Sequence, residues 1–132
     1  MLNETGERFL KAILERVPAE RIVEIHLFPP IRSGQIETGV AVVAAEPAPS
    51  PELPLHAGRI EVHTARYRLA RKGAERGKWE IEVKTQADAP LETVEAVVRG
   101  VQERAGEAIE PRRLTGQELI AQMNEPAWQT SP

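Results

Sequence analysis

Apolar residues along this chain follow two different periods, and the switches between them mark out its elements. Near the start, Phe9, Leu10, Ile13, Leu14 and Val17 recur three and four residues apart. A helix completes a turn in about 3.6 residues, so that spacing gathers them into one stripe. It predicts a helix over residues 4–17, opened by Asn3 or Thr5 as a cap and closed by Pro18.

The period then falls to two, the signature of strands. Val23, Ile25 and Leu27 alternate with Glu24 and His26 until Pro29 and Pro30, and Gly34 supplies a turn. Residues 36–45 begin by alternating and end as a continuous apolar run, which predicts a central strand covered on both faces. Over residues 59–71, Ile60 and Val62 keep one phase while Ala65, Tyr67 and Leu69 keep the other. That change of phase near His63 and Thr64 predicts a β-bulge. In the fourth segment Trp79, Ile81 and Val83 point one way, and Glu80, Glu82 and Lys84 the other. A charged hairpin loop, residues 72–77, joins the last two segments.

Between the second and third segments, residues 46–58 hold prolines at 47, 49, 51 and 54. Proline cannot donate to a ladder, so an exposed, extended loop is expected, carrying Leu53 and Leu55. Helical spacing returns with Leu91, Val94, Val97, Val98 and Val101, entered through residues 88–90 and ending near Gly106. A short third helix follows, up to Asn124. Thr115 and Glu118 have the spacing of a capping box, and Leu114 is placed to staple onto Leu119. Residues 126–132 read as a loosely held tail, polar apart from Trp128.

The order is helix, four strands, two helices. Consecutive antiparallel strands favour a meander, so the expectation is an α+β domain over residues 1–125. Its four-stranded antiparallel sheet would carry the N-terminal and C-terminal helices on one face. The other face would then be polar, carrying Glu24, His26, Glu61, His63, Glu80, Glu82 and Lys84.

Composition narrows the chemistry. The 132 residues include no cysteine, which excludes disulfides, thiolate metal sites and cysteine nucleophiles. The acidic start shows no leader pattern and no apolar run is long enough to span a bilayer. A cytoplasmic protein that does not enter membranes is expected. Net charge is −3, yet residues 59–78 hold seven basic side chains against Glu61 and Glu75. Asp88 is the single aspartate, so paired-aspartate chemistry has no basis.

The most site-like feature is a repeated Glu-apolar-His pattern, Glu24 to His26 and Glu61 to His63. On neighbouring strands the two pairs would converge into a site for zinc or a similar divalent ion. In a meander, however, another strand separates them by roughly 10 Å. His26, His56 and His63 are also the only imidazoles available as a base. The three serines, Ser33, Ser50 and Ser131, lack a nucleophile-elbow context. Residues 73–78 resemble a phosphate loop only superficially, because a strand rather than a helix follows. No cofactor is implied, and the chain reads as non-enzymatic.

Two binding readings remain. Arg66, Arg68, Arg71 and Lys72, with Tyr67 as a stacking ring, could contact single-stranded nucleic acid. An overall acidic chain with 4% aromatic residues argues against it. The favoured reading is a binding or accessory module acting through a protein partner or self-association, as a homodimer or a subunit. Leu53, Leu55 and Trp128 are its apolar anchors, and deletion of residues 47–54 is expected to weaken partner binding.

Overall fold

A computed structural model of the protein describes residues 4–47, 59–105 and 109–123. Helix α1 spans Glu4–Arg16 and a 3-10 turn spans Ala19–Arg21. The strands are β1 (Ile22–Leu27), β2 (Ile31–Ser33), β3 (Ile36–Ala45), β4 (Arg59–Ala70), β5 (Trp79–Pro90) and β6 (Arg112–Thr115). Helix α2 (Glu92–Ala105) lies between β5 and β6, and α3 (Gly116–Met123) follows β6.

The fold is α+β, with one antiparallel sheet ordered β5-β4-β3-β1-β6 and β2 paired beside β1 along the same edge of β3. The sheet therefore has six strands where alternation predicts four. β2 and β6 span three and four residues, too few to display a period, and pairing with β3 and β1 is what makes them strands. Pro29 and Pro30 interrupt the chain between β1 and β2, as proline's missing N–H requires.

The two faces of the sheet carry separate apolar clusters. On one, Phe9, Leu10 and Ile13 of α1, Val17 just after it and Leu119 of α3 share a cluster with Ile25, Ala41, Val43, Ala65 and Tyr67. On the other, Val94 and Val101 of α2 share a cluster with Phe28, Val42, Ala44, Ile60 and Val62. Successive residues of β3 thus belong to different cores, which explains its continuous apolar run. The expected placement of all helices on one face is not what these clusters show. The connection explains why: β5 and β6 lie at opposite edges of the sheet, and α2 joins them across the face that α1 leaves open.

The same arrangement corrects the expected bulge. β4 pairs with β3 without a break from Ala45↔Glu61 to Ile36↔Ala70, so nothing is inserted at His63 and Thr64. The apolar phase changes because α2 covers Ile60 and Val62 on one side, while α1 covers Ala65, Tyr67 and Leu69 on the other. Real bulges occur elsewhere. In β1 the register slips between Ile22↔Ala45 and Glu24↔Ala44, which buries Ile22 and leaves Val23 39% exposed. In β5 the register slips between Ile60↔Ala89 and Val62↔Gln86, and Asp88 adopts φ 52 there.

Candidate functional site

Register decides which polar side chains meet, because directly opposed residues of an antiparallel pair share a face. Glu24 and His26 oppose Ala44 and Val42, and so lie on the α2 side. Glu61 and His63 oppose Ala45 and Val43, and so lie on the α1 side. The two Glu-apolar-His pairs are therefore on opposite faces of the sheet, and no single ion can draw ligands from both. Among the described residues, no group of three or more histidines and carboxylates is placed to hold a metal.

Each pair is instead a separate local network. Glu24 Oε1 lies 3.1 Å from His26 Nε2, and its other oxygen accepts from Arg113 Nε at 3.0 Å and Nη2 at 2.6 Å. Burial pushes the Glu24 carboxyl up, but its bonds to His26 and Arg113 outweigh that and hold it below the usual carboxylate value. Arg113 belongs to β6, so this ion pair ties that strand to β1. On the other side, His63 Nε2 is 3.3 Å from Glu61 Oε1, and its Nδ1 is 2.8 Å from Thr85 Oγ1. Arg21 donates to the same Glu61 oxygen. His56 lies outside the described residues.

The basic segment is also divided by the sheet. Arg66 and Arg68 project on the α2 side with Glu80 and Glu82 opposite them on β5. Together with Thr38 and Val40 they line an open depression of about 520 Å³. Tyr67 points the other way and is buried. Its ring stacks on Trp79 (centroids 5.0 Å apart, planes at 16°) and meets Phe9 edge-on. The stacking ring of a nucleic-acid reading is therefore inside the α1-side core. Arg71 donates from Nε to Glu37 and from Nη2 to Thr5, while Lys72 is exposed in the hairpin loop.

Glu37 is the polar residue that sequence reading missed. It is 1% exposed and accepts from Tyr67 Oη at 3.1 Å, Arg71 Nε at 3.0 Å and Arg32 Nε at 3.1 Å. Burial pushes its carboxyl up, but the three donors and the charge of Arg71 prevail and hold it below the usual value. Burial and the neighbouring Glu37 charge push the Tyr67 hydroxyl well above the ordinary tyrosine range. The available signal was phase: Glu37 lies in step with Gly39, Ala41 and Val43, on the face that α1 covers.

The remaining chemistry is main-chain. β5 ends the sheet order, and among the described residues no strand pairs with its outer side. Ala70 opposes both Gly77 and Lys78, its N–H donating to the Lys78 carbonyl and its carbonyl accepting from the Gly77 N–H. An antiparallel ladder alternates from there, so Glu80, Glu82, Lys84 and Gln86 turn their N–H and C=O groups toward β4. Trp79, Ile81, Val83 and Thr85 consequently turn theirs outward. The side chains of Trp79, Ile81 and Val83 are half-buried against the α1-side core, and Glu80, Glu82 and Lys84 are exposed on the opposite face. At the far edge β6 is only four residues long.

The anchors Leu53, Leu55 and Trp128 lie outside the described residues. No helix among the described residues is long and apolar enough to cross a membrane. Comparison with family models, with curated proteins and with solved structures returns no significant match to this chain.

Proposed function

We propose that this chain is a non-enzymatic protein-association module, acting as a homodimer or as a subunit, whose contact surface is the outer edge of β5. One observation carries the reading: residues 79–86 form a regular strand with outward main-chain groups beside a half-buried row of Trp79, Ile81 and Val83. Such an edge is a template for another strand, with main-chain bonds supplying affinity and side chains supplying choice of partner. The histidine and carboxylate networks are held within the fold by Arg21, Thr85 and Arg113, which suits structural roles. The anchors Leu53 and Leu55, in the stretch between β3 and β4, and Trp128 would add contacts beyond the strand.

Val83→Pro tests the reading. The N–H of residue 83 faces outward, so proline there spares the ladder to β4 while removing a donor from the open edge. Fluorescently labelled protein in host-cell lysate is expected to sediment faster than a monomer, and the Val83→Pro variant is expected to lose that shift. Monomer-like sedimentation of both proteins would end the reading.

A further inference from the structure

We infer that the strand received by β5 is the β5 of a second copy of this chain, paired antiparallel about a two-fold axis at Val83. This rests on the proposed association through that edge and names its partner.

Charge selects the register. Because Trp79, Ile81, Val83 and Thr85 face outward, a second strand exchanges hydrogen bonds with them, and the charged side chains between fall into non-hydrogen-bonded pairs. Those are the pairs in which side chains approach most closely. A two-fold at residue 81 sets Glu80 against the partner's Glu82. At residue 82 it sets Glu82 against the partner's Glu82, and at residue 84 it sets Lys84 against the partner's Lys84. Like charges directly opposed are destabilising. At Val83 the conflict disappears: Glu82 meets the partner's Lys84, Lys84 meets the partner's Glu82, and Glu80 meets the partner's Gln86. The other face of that register aligns Val83 with the partner's Val83 and Ile81 with the partner's Thr85, extending the half-buried apolar row across the axis.

The geometry of the strand agrees with this centre. At one end of β5 lies the hairpin with Gly77 at φ 87, and at the other the slip in register that leads to Asp88. Val83 is midway along the regular stretch between them. Glu82 and Lys84 now pair within the strand at 3.7 Å and are 68% and 80% exposed, so that contact is weak and free to re-form between copies.

The test uses the purified chain and its lack of cysteine. By sedimentation equilibrium the wild type is expected to dimerise, and Lys84→Glu is expected to raise the dissociation constant about tenfold or more. The double change Glu82→Lys with Lys84→Glu is expected to restore it, because the cross-axis pairs return with reversed sign. Val83→Cys is expected to form a disulfide dimer under mild oxidation, since hydrogen-bonded partners sit about 5.5 Å apart at Cα. Ile81→Cys, placed roughly 14 Å from its copy by strand rise, is expected not to. All these sites are on the edge strand, and circular dichroism checks that each variant is folded. A dimer indifferent to the charge reversals, or one without cross-linking at residue 83, would overturn this pairing. So would a wild type that stays monomeric when pure. If that monomer nevertheless sediments fast in lysate, the second copy is wrong and association with another protein stands. If it does not, both fall.

Discussion

Glu37 is a buried charge near the start of β3, on the α1 side of the sheet, and it accepts from three donors. Replacement by glutamine keeps the shape but removes the charge that Arg71 and Arg32 face. Hydrogen bonds to charged groups contribute about 1.5–3 kcal/mol, so Glu37→Gln is expected to lower stability to urea by that order at neutral pH. The sign with pH follows from the depressed carboxyl. Its contribution is complete above the ordinary value of 4.5, where the unfolded chain also ionises. It is lost as pH falls below 4.5 and through the folded value, because the unfolded state then binds protons first. The gap between wild type and Glu37→Gln is therefore expected to narrow in acid, which unfolding curves above and below 4.5 will check. Glu24, also depressed, contributes the same trend to the wild type and to the variant.

Gly39 belongs to the same site. It opposes Tyr67, and a Cβ there would stand 2.0 Å from Tyr67 Cε1, inside the ring. The missing side chain is what lets the tyrosine lie across β3 and reach Glu37. Gly39→Ala is expected to displace the ring, break its bond to Glu37 and cost about 1–3 kcal/mol, the usual range for overpacking. A lower melting temperature with a changed near-ultraviolet circular dichroism from the Tyr67–Trp79 stack would show it. An unchanged spectrum would mean the ring does not depend on the glycine.

At the scale of elements, local signals succeeded where they carried their own physics. The capping box is present as read: Glu118 N–H donates to Thr115 Oγ1, and Thr115 N–H donates to Glu118 Oε1, both at 3.2 Å. Leu114 and Leu119 are both buried in one cluster, as a staple requires. Thr115→Ala is expected to cost about 1 kcal/mol, with Thr115→Ser close to neutral, as measured by thermal unfolding. Helix α1 and strand β3 also match the spans their periods imply. The bulge was misplaced for an identifiable reason. An apolar phase change has two physical origins, an extra residue or a change in which face is covered, and a sequence shows only the phase. In β4 the covering changes, while in β1 the extra residue at Val23 hides inside an unbroken alternation.

At the scale of the whole molecule, two apolar cores share β3 and β4. A large aliphatic or aromatic side chain taken fully out of water contributes about 1.5–3 kcal/mol, so Phe9 and Leu10 on one side and Val94 on the other are each substantial. Since the same strands form the floor of both cores, neither can melt alone without exposing the other's backing. Urea unfolding followed by near-ultraviolet signal from the α1 side and by far-ultraviolet signal from all elements is expected to give coincident transitions. Separated midpoints would mean that α2 and its cluster open independently.

What the sequence by itself determined is whatever depends on neighbours a few residues away. The three helices with their apolar stripes, the capping box, the four long strands with their antiparallel sense and the absence of cysteine chemistry all belong there. Tertiary structure alone decided how distant segments align. It put Glu24 and Glu61 on opposite faces, drew Tyr67 inward between two outward arginines, made strands of β2 and β6, and left β5 at the edge. The physical reason is the two-residue period of a strand. It fixes which residues share a face within a segment, but not which face a helix will cover or which strand will lie alongside.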